Sequence, residues 1–298
     1  MALLDRAIAS SLPLVPKPLV RVFARPYIAG ETLDDFVRAA RGLNAQGILV
    51  AAGILGEFVS ERAEAEEAVR EYETVLARID ELGIDGNIHV KLTHLGLKRD
   101  KEFCFQNVRR LTKVAKERGN FVRIDMEDSS CTDDTLEIFF RLRRELDNVG
   151  AVIQACLRRS LDDVRRLVEV DANVRLCKGI YIEPRAIAYR DPEIVRRNYV
   201  LLLEELLGRG CYVGIATHDE MLVWEAYRLV DTLKLAPDRY EFQMLYGVQE
   251  PLRGIIREAG HRLRVSVPFG PNWYPYSIRR LRKNPAIAGY VLKALFQH

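Results

Sequence analysis

The sequence has no C-x-x-C pair, no long apolar run and little net charge, and each absence removes a class of protein. Its five cysteines, Cys104, Cys131, Cys156, Cys177 and Cys211, are odd in number and scattered. That argues against a disulfide framework or a structural zinc site and for a reducing cytoplasm. No window approaches the roughly 20 apolar residues of a membrane-spanning helix. The opening, MALLDRAIASSLPLVPKPLV, lacks the basic and apolar regions of a secretory signal. Peripheral contact with a membrane remains compatible with both absences. A net charge of +3 on 298 residues leaves no electrostatic footprint for nucleic acid. The middle of the chain has no linker rich in Gly, Ser or Pro, so residues 1–298 read as one domain.

What is present is ordinary globular material, 48% hydrophobic and 29% charged, enough for a large α/β core. Residues 1–30 read as an N-terminal helical arm with a connector punctuated by Pro13, Pro16, Pro18 and Pro26. Thr32 is placed to cap a helix from Leu33 to Leu43, and Ser60 to Leu82 reads as a long amphipathic helix with Ala68, Tyr72, Val75, Leu76 and Ile79 on one face. Short strand-like runs start at Gly47, Ile88, Phe121, Ala151, Val174, Tyr212, Glu241 and Leu263. Eight strands alternating with helices over about 250 residues predict a (β/α)₈ barrel. The doubly wound alternative lacks its fingerprint, because Gly208-Arg209-Gly210 precedes a strand instead of following one.

In such barrels chemistry sits at the C-terminal strand ends. Those ends carry Glu57; Lys91, Thr93 and His94; Asp125, Glu127 and Asp128; Gln154; Arg175 and Lys178; Thr217, His218 and Asp219; Gln243; and Ser266, followed by Arg279-Arg280 on the next helix. Each has a plainer reading. Lys91 and Asp125 can form a structural ion pair across neighbouring strands. Asp125 to Asp128 can cap the helix near Thr132, line a solvated loop or hold a metal, though no second ligand set stands at a metal-binding spacing. His218 can be a satisfied strand-end histidine, and Arg279-Arg280 a basic helix face. Their convergence on consecutive strand ends is what packing alone does not explain.

The segments Val90 to Gly96, Val122 to Ser129, Val174 to Tyr181, Ile215 to Asp219, Phe242 to Gly247 and Tyr276 to Arg280 resemble the successive motifs of bacterial monofunctional proline dehydrogenases. The resemblance implies a distorted (βα)₈ barrel holding FAD at its mouth, with a C-terminal helix over that mouth and no catalytic metal. It implies oxidation of L-proline to Δ1-pyrroline-5-carboxylate by hydride transfer from C5 to flavin N5, with electrons passed to a membrane quinone. A downstream pyrroline-5-carboxylate dehydrogenase would take the product. By the same resemblance, Gln154, Arg175, Lys178, Gly179, Ala216, Thr217, His218 and Gln243 border the cofactor. Lys91, Asp125, Tyr181, Leu245 and Ser266 line the substrate site. Arg279 and Arg280 clamp the substrate carboxylate, and Glu57 pairs with Arg279 as a gate. Lys91, Asp125 and the two arginines carry the catalytic roles.

Four positions depart from the family pattern. Ser266 stands where the last strand usually has tyrosine, which makes 4-hydroxyproline a rival substrate and predicts that Ser266→Tyr favours proline. Lys283 replaces a glutamate that would share a helix face with the arginines. Asp219 and Ile182 replace an asparagine and an aromatic residue at the cofactor edge. Two other functions remain as rivals: a Schiff-base lyase using Lys91 or Lys178, and a non-catalytic barrel that binds imino acids.

Overall fold

The structure, a computed structural model, describes residues 20–21 and 24–283, with side chains described through 278. The expected N-terminal arm lies mostly outside the described residues, as do the side chains of Arg279, Arg280 and Lys283.

Eight parallel strands close into a barrel in sequence order: β1 (Leu49–Ile54), β2 (Gly86–Val90), β3 (Val122–Ile124), β4 (Val149–Gln154), β5 (Asn173–Cys177), β6 (Val213–Ala216), β7 (Tyr240–Leu245) and β8 (Leu263–Phe269). Every residue of β1 and of β4 is buried, as expected where helices cover one face and the barrel interior the other. Closure is made by β8 on β1, with six residue pairs from Leu49 opposite Arg264 to Ile54 opposite Phe269.

Helices α1 (Leu33–Asn44), α2 (Arg62–Glu81), α3 (Lys101–Glu117), α4 (Thr132–Arg143), α5 (Ser160–Val168), α6 (Pro192–Gly208), α7 (Glu220–Thr232), α8 (Glu250–Glu258) and α9 (Trp273–Lys283) complete the described elements, with short 3₁₀ turns between them. Helix α1 begins where expected because Thr32 and Asp35 form a reciprocal capping box, which satisfies backbone donors that the first turn leaves without partners. The apolar stripe predicted for α2 is buried in full. Phe36 of α1 stacks on Phe269 of β8 with ring centroids 5.1 Å apart, burying a side chain worth roughly 2–3 kcal/mol against the closing strand.

Strand β8 continues through Pro268 and ends one residue later, at Phe269. The proline has no N–H to give, but its carbonyl accepts from Ala29 N at 3.0 Å, and Gly53 and Ile54 of β1 continue the pairing. Trp273 and Tyr276 of α9 pack against Ala24, Ile28 and Leu55 at the top of β1. The five cysteines are free thiols. Among the described residues no helix is long and apolar enough to cross a membrane.

Candidate functional site

The polar strand ends do converge, and they do so in two layers. Side chains two residues apart on a strand share a face, so each mouth residue has a partner one step deeper in the barrel. Typical barrel interiors fill that deeper layer with Val, Ile and Leu. Here it holds His89, Arg123, Glu241 and Arg264.

Asp125, just beyond β3, is the hub of the upper layer. Its Oδ1 accepts from Arg175 Nη1 at 2.6 Å, and its Oδ2 lies 2.7 Å from His89 Nδ1. Burial acts to raise this carboxyl, but the charges of His89 and then Arg175 outweigh it and hold Asp125 well below the usual carboxylate range. Arg175 also donates through Nε to Gln243 Oε1 at 2.5 Å. Gln243 in turn gives its amide to Glu241 Oε1 at 2.5 Å, and the same oxygen accepts from Arg264 Nε at 2.7 Å. A hydrogen-bonded chain thus crosses the barrel from β2 to β8. Burial alone would raise the Glu241 carboxyl; Arg264 reverses the direction and lowers it.

The ion pair expected between Lys91 and Asp125 is not formed. Both Asp125 oxygens are taken by Arg175 and His89, and Lys91 Nζ instead meets Glu57 Oε2 at 2.8 Å. Glu57, on the loop after β1, therefore engages Lys91, while the Arg279 side chain expected as its partner lies outside the described residues. The acidic run Asp125 to Asp128 separates into three duties. Asp125 faces the mouth; Glu127 binds the backbone N–H and hydroxyl of Thr93 at 3.0 and 2.6 Å; and Asp128 caps the turn at Ser130 N. Burial raises the Glu127 carboxyl despite its bonds from Thr93.

The remaining candidates form the rim. Gln154, ending β4, donates to Glu127 O at 2.9 Å. Lys178 Nζ and Arg196 Nε both meet Asp219 Oδ2 at 2.8 Å, so two cations surround one carboxylate. Thr217 Oγ1 accepts from Asp219 N, and His218 Nε2 accepts from Leu245 N at 2.9 Å, which joins the ends of β6 and β7. Ala216 closes β6 opposite Cys177 and Gln243. Leu245 ends β7 half-buried, and Tyr181 is half-buried in the loop after β5. Ser266 sits in β8 with its Oγ 2.9 Å from His89 Nε2.

His89, Glu241 and Arg264 escaped the sequence reading, although the signal was available: they stand two residues before Lys91, Gln243 and Ser266. His94, buried beside the mouth, is neutralised by its surroundings. Burial, then the neighbouring Lys91, lowers it to about 4.

Comparison with known proteins bears on what such a mouth does. A profile of the proline dehydrogenase family matches residues 36–293. Proline dehydrogenase 1 of Bacillus subtilis subsp. natto is 33% identical over 277 residues, covering 93% of this chain and 92% of its own. The proline dehydrogenase of Deinococcus radiodurans is 34% identical over 279 residues, covering 92% of this chain and 90% of its own. Among solved structures, proline utilization A (PutA) from Bdellovibrio bacteriovorus inactivated by N-propargylglycine aligns with a TM-score of 0.81 at 26% identity. That alignment covers 87% of this chain and 32% of the other, so the chain spans about a third of that protein's length.

Proposed function

The chain belongs to the proline dehydrogenase family, and from that premise we propose that its barrel mouth uses FAD to oxidise L-proline to Δ1-pyrroline-5-carboxylate and delivers the electrons to a quinone. The observation that carries this reading is the Asp125–Arg175–Gln243 chain, which fixes a guanidinium at the C-terminal mouth of the barrel.

The residues fit a flavin dinucleotide. Arg175 and Lys178 supply cations, and Gln154, Thr217 and Gln243 supply amide and hydroxyl groups, which suits a ligand with an electron-rich ring and a pyrophosphate. Gly179 has φ +97°, and a Cβ there would lie 2.3 Å from Cys156 Sγ, so only glycine lets the chain turn past Cys156 and Gln154 directly after Lys178. Ile180 and Ile182, 62% and 90% exposed on the same loop, offer apolar surface for a large ligand to cover. When bound, FAD supplies the hydride acceptor.

The chain's own groups do the rest. Arg175 holds a permanent positive charge where electron density accumulates. Asp125, kept ionised by its surroundings, is a weak proton acceptor; its role is to orient Arg175 and the substrate amine beside it. Lys91, tied to Glu57, borders the same space, and Tyr181 and Leu245 supply apolar contact. Arg279 and Arg280 are assigned the substrate carboxylate, for which paired guanidinium forks are matched in shape and charge. Product release would feed a pyrroline-5-carboxylate dehydrogenase. Peripheral membrane contact through the basic tract Arg279 to Lys283 and the N-terminal arm would bring the quinone within reach.

One feature favours a second substrate, 4-hydroxyproline. The position that the family resemblance places against the far edge of the ring is Ser266, and its hydroxyl is paired with an imidazole, so that end of the site is polar instead of aromatic. Anaerobic mixing of the purified protein with L-proline and with trans-4-hydroxy-L-proline tests both readings. Bleaching of flavin absorption by at least one is expected, with electrons recovered by an added quinone; a colourless protein, or flavin bleached by neither, refutes the proposal.

A further inference from the structure

The amide of Gln243 is a joint in the polar chain with two possible directions, and its neighbours decide between them. On one side stands the Glu241 carboxylate, which only accepts; on the other stands the Arg175 guanidinium, which only donates. Nε2 therefore faces Glu241 Oε1 at 2.5 Å, and Oε1 faces Arg175 Nε at 2.5 Å. Burial works to protonate Glu241, but Arg264, donating at 2.7 Å to the same oxygen, keeps it ionised. Tyr212 Oη donates to its other oxygen at 3.0 Å.

The joint is fitted by shape as well. Gly214 of β6 pairs with Glu241 in the sheet, and a Cβ there would lie 2.5 Å from Gln243 Nε2, so the amide fills room that a side chain at 214 would take. Arg175 is then held from two sides, through Nε by Gln243 and through Nη1 by Asp125 at 2.6 Å. A guanidinium has five N–H donors, and the rest of them, on a side chain 12% exposed, serve whatever occupies the mouth.

Removal of Glu241 would reverse the joint. Gln243 Nε2 and Arg264 Nε meet on one Glu241 oxygen, and a buried guanidinium stripped of that oxygen takes the nearest acceptor, because an unmade bond there is costly. The amide turned over gives Arg264 its Oε1 and sets an NH₂ against Arg175, donor against donor. We propose that Glu241, sealed one layer below the mouth, is a positioning residue: by fixing the direction of the Gln243 amide it holds the Arg175 charge in place for the reduced flavin. This rests on the reading above, that the mouth binds a flavin.

The test measures the two-electron flavin potential of the loaded protein, by equilibration with a reference dye, in Glu241→Leu, Glu241→Gln and Gly214→Ala. Leucine and glutamine remove the same charge, so any through-space effect of that charge is common to both; only glutamine keeps an oxygen to receive Gln243 Nε2. At a fixed potential the ratio of reduced to oxidised flavin is expected to be about tenfold lower in Glu241→Leu than in Glu241→Gln, which is about 30 mV. Gly214→Ala keeps every charge and displaces the amide, so its potential is expected to fall below that of the unaltered protein; it serves also if the leucine variant does not fold. A merely structural Glu241 would lower Tm and leave the potentials of the two Glu241 variants alike. Equal potentials in Glu241→Leu and Glu241→Gln, or an unchanged one in Gly214→Ala, would overturn the proposal and leave the oxidation reading intact. A purified protein without bound flavin would instead sink that reading, and this inference with it.

Discussion

Replacing Glu241 with leucine removes three hydrogen bonds from the barrel interior at once. The carboxylate accepts from Arg264 Nε at 2.7 Å, Gln243 Nε2 at 2.5 Å and Tyr212 Oη at 3.0 Å, and it is only 2% exposed. Arg264, 10% exposed, has two partners, Glu241 and the carbonyl of Val50 at 2.8 Å. Breaking a buried pair from one side costs about 3–5 kcal/mol, because the remaining charge is left uncompensated. Glu241→Leu leaves the guanidinium with one carbonyl and should lose about 4 kcal/mol, or roughly 8 °C in Tm for a chain of this size. Arg264→Met leaves a carboxylate that still has two donors, so its loss should be nearer 2 kcal/mol, about 4 °C. The double variant removes both charges and should fall short of the sum by about 2 kcal/mol. Urea and thermal unfolding of the four proteins measure the cycle. Additivity within about 0.5 kcal/mol, or Arg264→Met as damaging as Glu241→Leu, would refute the reasoning.

Two further outcomes follow from the site. His94 is lowered to about 4 in the folded chain from an ordinary 6.5, so between those values the unfolded chain binds a proton that the folded chain refuses. Stability should therefore fall by about 3 kcal/mol as pH drops from about 6.5 to 4, with no contribution from this group above that window. His94→Gln should remove that part of the slope, and identical pH profiles for the two proteins would contradict it. Ser266→Tyr should raise kcat/KM for proline roughly fivefold, the worth of about 1 kcal/mol of aromatic contact, and more when His89→Ala clears the space beside it. Steady-state kinetics decide, and unchanged or lower proline efficiency in both variants would count against the assigned place of Ser266.

All eight strands and the principal helices were legible because their signals are local: β-branched runs for the strands, Thr32 as a cap, the 3.6-residue stripe of α2. Most of the mouth residues were legible from their place at the strand ends. The partners were not. Lys91 could not be told from sequence to choose Glu57 over Asp125, since the choice depends on His89 and Arg175 reaching Asp125 first from two other strands. Arg123, which donates to Ala151 O and binds Asn173, and Glu241 with Arg264 read as strand interior, where charge is rare. Period-two alternation back from each mouth residue would have found them, but pairing across β7 and β8 exists only once the barrel is closed.

That dependence on closure bears on how the chain folds. Arg264 reaches Val50 across 214 residues of sequence, and Glu241 is neutralised only by the strand that arrives last. A seven-stranded precursor would hold the Glu241 carboxylate in a half-dry interior without its counterion, at a cost of several kcal/mol. The polar layer therefore works against partly closed barrels, sharpening the unfolding transition and starving the open-edged species from which aggregation would start.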